Sequence, residues 1–128
     1  MYELTVRTRF AAAHSLREYE GPCARVHGHT WHIEATFRGC RLDSKGMLLD
    51  FGVVKSKIKT IVEELDHNYL NEVKPFTDSA ENNPTVENLA RHIYNRLKQD
   101  LGENSRQAQI AGVRVWESPD TSAAYSEV

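Results

Sequence analysis

Ten residues, CARVHGHTWH at positions 23 to 32, hold three of the six histidines and one of the two cysteines of this sequence. Cys23 is followed by His27 and His29 on either side of one glycine, and then by His32. Imidazole and thiolate are the side chains that bind zinc and exchange protons near neutral pH. On a β-strand, residues two apart point the same way and lie roughly 6.5 to 7 Å apart, so His27 and His29 can converge on one ion. Gly28 between them leaves the other face open. His14 ends an earlier alternating run on its apolar parity, and a hairpin would bring it beside the pair. Three imidazoles on one face make a zinc site with one open position. His32 has the opposite parity and reads as a sheet-surface residue, and His92 falls mid-helix away from the apolar stripe, so neither joins the ligand set.

Cys23 has two readings. As a fourth ligand it closes the site and makes it structural; as a thiolate beside the metal it makes the site catalytic and can act as a general base. Spacing alone does not choose between them. Asp66 and His67 in LDHNYLN form a second cluster, in which the carboxylate would orient the ring and stabilise its protonated form as a proton shuttle. A cationic histidine near a helix C-terminus is also favourable without any catalytic role. Glu117 follows Trp116 on the face carrying Val113 and Val115. A carboxylate there needs a partner, and a heterocycle with two adjacent N–H donors, such as a pterin or guanine edge, offers one of the right shape.

The elements that must position these groups follow from periodicity. Tyr2, Leu4, Val6, Phe10, Ala12 and His14 share one parity, which predicts a half-buried strand over residues 2 to 14. Trp31, Ile33, Ala35 and Phe37 continue the parity of His27 and His29 in a second strand. After the turn-rich GCRLDSKG, an N-cap at Asp50 opens a helix marked by Phe51, Val54, Ile58, Ile61, Val62 and Leu65 and ending near Asp66. A polar connection from Asn71 to Pro84 leads to an N-cap at Thr85, and Val86, Leu89, Ala90, Ile93 and Leu97 mark a second helix ending near Gly102. A loop around GENSRQAQ, a strand in IAGVRVWE and a final strand in SAAYSEV complete the order β, β, α, α, β, β. Two adjacent hairpins imply an α+β fold, a four-stranded antiparallel sheet with two helices on one face.

At 128 residues, 40% of them hydrophobic, the chain fits a single domain spanning 1–128. A net charge of −2 with interspersed charges gives no basic stripe, so no nucleic acid is expected as a partner. No apolar run approaches the roughly 20 residues needed to span a bilayer, and MYELTVRTRF lacks the apolar core of a signal peptide, so the expected location is cytoplasmic and away from membranes. In that compartment Cys23 and Cys40 stay reduced, with Cys40 an ordinary turn residue.

Taken together, FAAAHSL, CARVHGH, LLDFGVVK, LDHNYLN, NPTVENLA and VWESPDTSAAY cover nearly the whole chain, and in this order they resemble the 6-pyruvoyl-tetrahydropterin synthase family. Within it the chain looks most like the carboxy-forming, queuosine-pathway branch. HGH alone is weak; CxxxHGH with LDHxxLN and PTxENxA is specific. The resemblance implies the tunnelling fold, or T-fold, with zinc on His14, His27 and His29. It implies Cys23 as catalytic thiol, Asp66 with His67 as the second proton-transfer pair, and Glu117 as the pterin anchor. It further implies a homo-oligomer, trimers stacked into hexamers, with active sites between subunits. The implied reaction takes 7,8-dihydroneopterin triphosphate to 6-carboxy-5,6,7,8-tetrahydropterin with loss of triphosphate and acetaldehyde.

Pyruvoyl-forming members of the family place more residues between the cysteine and HGH than Ala24, Arg25 and Val26. A folate-pathway type uses a glutamate in the same loop, which Glu18 or Glu20 would supply, but Cys23 argues against it. No motif assigns the triphosphate site: Arg25 and Lys74 read as solvated charges, and Glu87 as favourable placement on a helix dipole. Outside the family, the alternatives are a zinc-stabilised binding module closed by Cys23, and a zinc hydrolase.

Overall fold

The structure, a computed structural model, describes residues 1–101 and 107–127. Four strands and two helices appear in the expected order: β1 (Tyr2–His14), β2 (His27–Gly39), α1 (Phe51–Leu65), α2 (Val86–Leu101), β3 (Gln109–Ser118) and β4 (Thr121–Tyr125). The sheet runs β1-β2-β3-β4 with every neighbouring pair antiparallel. β4 is shorter than the SAAYSEV segment suggested, ending at Tyr125. Val128 and the 102–106 part of the GENSRQAQ loop lie outside the described residues.

Period-2 alternation makes one sheet face apolar. Val6, Phe10 and Ala12 of β1, Trp31 to Phe37 at alternate positions of β2, and Val113 and Val115 of β3 are buried in one core with α1 and α2. α1 contributes Val54, Ile58, Ile61 and Leu65, and α2 contributes Leu89, Ala90, Ile93, Tyr94 and Leu97. Asp50 caps α1 by accepting from the Gly52 amide at 2.7 Å, and the Thr85 hydroxyl accepts from the Asn88 amide at 3.1 Å at the start of α2. Both helix starts therefore follow the sequence.

One expectation on the helices needs correction. Phe51 has the right spacing for the apolar stripe but is 54% exposed, although Val54 in the same turn is fully buried. His92 lies off the buried stripe of α2, as its spacing implied. It is half-buried with its ring edge-on to Phe76, centroids 5.4 Å apart, and burial lowers its pKa.

The connection from Leu70 to Pro84 holds two short 3-10 turns, Leu70–Glu72 and Ala80–Asn82, and plugs the core with Leu70 and Phe76. Just before it, residues 66 to 69 lie along the outer edge of β1. His67 donates its amide to the Ala11 carbonyl at 2.6 Å, Ala13 donates to the Asn68 carbonyl at 3.1 Å, and Ala13 and Tyr69 form a parallel bridge. The edge strand is thus covered at the end that carries His14.

At Gly39, where β2 ends, a Cβ would lie 1.9 Å from the Gln107 carbonyl oxygen and 2.7 Å from Leu48 Cδ1. Gly39→Ala is expected to destabilise the protein by about 1–3 kcal/mol, read as a lowered midpoint in denaturant unfolding.

Candidate functional site: a three-histidine metal centre

Antiparallel register brings the three histidines together. His14 on β1 lies directly opposite His27 on β2, and Ala12 lies opposite His29. Their ligand atoms all fall within 4.8 Å of one another. Trp31, two residues after His29 on the same parity, forms the floor: its ring meets His14 edge-on at 4.7 Å and His29 at 5.1 Å. The indole N–H donates to the Ala12 carbonyl at 3.1 Å, which fixes that floor to β1.

The hydrogen bonds identify the atoms offered to a ligand. His14 Nδ1 is 2.7 Å from the Pro84 carbonyl oxygen, and His27 Nδ1 is 2.7 Å from that of Arg25. A carbonyl only accepts, so both Nδ1 atoms carry the proton. In the neutral rings both Nε2 atoms are then bare lone pairs, and they face each other at 2.9 Å. Two acceptors at that distance need a cation between them.

Burial, with His27 and His29 as smaller contributors, lowers the His14 pKa to about 4, which favours the neutral ring that a metal ion needs. His29 is lowered as well, mainly by burial, against an opposing pull from Glu117. The donor set therefore fits a divalent metal. Backbone carbonyls holding the far nitrogens are the usual device for orienting metal-binding imidazoles.

Cys23 lies in the 3-10 turn Pro22–Ala24 that joins β1 to β2, half-buried and outside the three-histidine cluster. Its carbonyl accepts from the Leu16 amide at 3.0 Å. Cys23 and Cys40 are unpaired, and Cys40 is exposed. Glu18 and Glu20, in the same connection, are fully on the surface, as are Lys74 and Glu87. His32 is exposed on the opposite sheet face, as its parity required.

Asp66 and His67 do touch. His67 Nδ1 is 2.8 Å from Asp66 Oδ2, while Asp66 Oδ1 accepts from the Ala11 amide at 2.9 Å. Those hydrogen bonds, the Ala11 amide first, hold the Asp66 carboxyl below its ordinary range. His67 adopts φ of +58° and its side chain is 81% exposed. The pair sits on the outer edge of β1, the far side of that strand from β2.

Glu117 falls where the β3–β4 register breaks between Trp116 and Ser118. Such irregularities re-aim side chains beside functional sites. Its Oε2 comes 4.0 Å from His29 Nε2, an ion-pair approach too long for a hydrogen bond. Both carboxylate oxygens thus stay available beside the histidines.

The Pro84 and Arg25 carbonyls, and the asparagines Asn71 and Asn83 that organise the loop around them, were not found by sequence reasoning. Backbone acceptors leave no mark in residue types. Trp31 was visible in principle, by its parity with His27 and His29.

A model of the family described as 6-pyruvoyl tetrahydropterin synthase matches residues 3–128. The chain belongs to that family. A relative from Haemophilus influenzae, named 6-carboxy-5,6,7,8-tetrahydropterin synthase, is 29% identical over 146 residues, covering 99% of this chain and 100% of the relative. One from Bacillus subtilis with the same name is 34% identical over 126 residues, covering 97% of this chain and 84% of the relative. The solved Caenorhabditis elegans 6-pyruvoyl tetrahydropterin synthase superposes with a TM-score of 0.85 at 23% identity, covering 99% of this chain and 96% of that one. The fold is the T-fold.

With a folded pKa of about 4 against 6.5 unfolded, His14 binds its proton more tightly in the unfolded chain. Stability of the metal-free protein is therefore lost as pH falls from 6.5 to 4 and is level above that window. His29 acts in the same direction. Denaturant titrations across this range should show a loss of up to roughly 3 kcal/mol from His14, absent in His14→Gln.

Proposed function

We propose that this enzyme converts 7,8-dihydroneopterin triphosphate and one water into 6-carboxy-5,6,7,8-tetrahydropterin, acetaldehyde and triphosphate. The observation that carries this reading is the pair of facing Nε2 atoms of His14 and His27, with His29 beside them, in a chain whose relatives over nearly its full length are named for that product. The metal is zinc, for which neutral imidazoles at an open three-ligand site are apt donors. Bound there, zinc would supply a Lewis acid that polarises the oxygens of the substrate side chain and acidifies the neighbouring C–H bonds.

The chain's own groups move the protons. Asp66 accepts from His67 Nδ1–H, which leaves His67 Nε2 as the basic atom and stabilises the ring when it is charged. Cys23, as thiolate, serves the opposite side of the reacting carbons. The Glu117 carboxylate anchors the pterin through paired N–H donors.

His67 is too open to water in one chain to be an efficient base, which supports assembly into a homo-oligomer, trimers stacked into hexamers, with active sites between subunits. We further infer that residues 1–128 act as one pterin-synthase domain, that the product enters queuosine biosynthesis and that the enzyme works in the cytoplasm. No helix among the described residues is long and apolar enough to cross a membrane, and the unpaired cysteines suit a reducing compartment.

The deciding experiment is acetaldehyde release from 7,8-dihydroneopterin triphosphate by the zinc-loaded protein. Acetaldehyde in step with pterin consumption is expected; triphosphate without acetaldehyde would transfer the protein to the pyruvoyl-forming branch. In Cys23→Ala, zinc and fold should remain while turnover falls by about 10²–10⁴-fold. A binding module closed by Cys23 would instead lose its metal and unfold.

His67→Asn separates chemistry from backbone. Asparagine tolerates a positive φ, so stability should change by no more than about 0.5 kcal/mol, while turnover drops roughly 10²-fold or more. Unchanged turnover would remove His67 from the mechanism.

A further inference from the structure

β1 loses its partner at His14, because β2 begins opposite it at His27. Residues 15 to 17 continue in its direction with peptide groups that no strand satisfies. Two side chains do so instead. The Asn71 carboxamide accepts from the Ser15 amide and donates to the Ser15 carbonyl, both at 2.9 Å. Asn83 makes the same pair with Arg17, both at 3.0 Å. Each carboxamide presents an acceptor and a donor in one plane, so it imitates a facing peptide. Between them Leu16 points its amide to the other edge, where the Cys23 carbonyl accepts it. The extension thus has asparagine clamps along one edge and the thiol-bearing turn on the other.

Asn83 also precedes Pro84, whose carbonyl holds His14 Nδ1. A carbonyl cannot be removed by substitution, so its usefulness depends on what fixes its place. Asn83 is fixed from several directions: its amide donates to the Ala80 carbonyl at 3.2 Å, and its own carbonyl accepts from the Thr85 amide and from Asn88 Nδ2, both at 2.8 Å. The Arg17 guanidinium ties the clamps together, donating to the carbonyls of Asn71 at 3.1 Å, Phe76 at 2.7 Å and Ser79 at 3.3 Å. Asn71 and Asn83 are each only 8% exposed, so water cannot replace either carboxamide freely.

Resting on the function proposed above, we propose that Asn83 is a positioning residue for the reaction, holding in one register the carbonyl that aims His14 at the metal and the strand extension that carries the Cys23 turn. Asn71 supports the same extension at Ser15. Neither asparagine touches the reacting atoms, so the effect reaches them through His14 and Cys23.

The test uses the full chain with Cys40→Ser, so that Cys23 is the one reactive thiol. Zinc affinity is measured by competition with a chromophoric chelator, and Cys23 reactivity by the iodoacetamide rate across pH. Asn83→Ala should weaken zinc binding about 10–100-fold and displace the pH profile of alkylation. Its kcat should fall while KM for the pterin moves less than about threefold. Ile93→Val, a core change away from the site, should lower stability without either effect. A folded Asn83→Ala with unchanged zinc affinity and alkylation profile overturns the inference. Should Asn83→Ala not fold, Asn83→Asp, which keeps the acceptor and can pair with the Arg17 guanidinium, is read by the same criteria. If the parent protein itself binds no zinc, the metal reading fails first, and the two failures are distinct.

Discussion

The three-histidine cluster depends on one pairing, His14 opposite His27 across β1 and β2. Side chains alternate between sheet faces, so a slip of one residue would turn His14 away from His27 and His29 and carry Phe10 and Ala12 out of the core with it. The buried face therefore enforces the metal register. Burying Phe10, Trp31, Ile33 and Phe37 against α1 and α2 contributes roughly 1.5–3 kcal/mol for each large side chain, and every other register forfeits it. The site needs no separate device to align its strands, because the core already does so.

What the register cannot supply is ring orientation, and for that the site uses loops. The Pro84 and Arg25 carbonyls come from the connections before α2 and before β2, one on each side of the pair. The sheet ends where the histidines are, which frees the peptide groups beyond His14 to engage side chains rather than another strand. The placement follows a common division of labour, in which a packed scaffold sets positions and connecting segments provide chemistry.

The same division explains what was legible in the sequence. Strand parity located His14, His27 and His29 and rejected His32, because alternation is a property of residue type and order. The caps at Asp50 and Thr85 were equally local signals. Phe51 misled because helical spacing says which residues share a stripe, while exposure depends on the tertiary neighbours each one meets. His92 lies off the α2 stripe as its spacing implied, while the Phe76 ring that meets it comes from a connection without periodicity. The resemblance drew attention to LDHNYLN and NPTVENLA as markers; why those segments hold Asn71, Asn83 and Thr85 emerged only from the contacts they make.

The absence of negative charge in the cluster bears on what a bound ion would do. Thiolate or carboxylate ligands neutralise a divalent cation, which suits a structural role. Among the described residues the cluster consists of three imidazoles, each neutral when it binds, so the ion would keep its full charge. The carboxylate nearest His29, that of Glu117, approaches its Nε2 only to 4.0 Å. Burial strengthens that field, because the effective dielectric around His14, only 2% exposed, is well below that of water. Two facing lone pairs are an unfavourable arrangement for the metal-free chain, held in place by carbonyls and packing. A cation that relieves their repulsion stabilises the fold as it binds, so metal affinity and folding stability are linked through the same atoms.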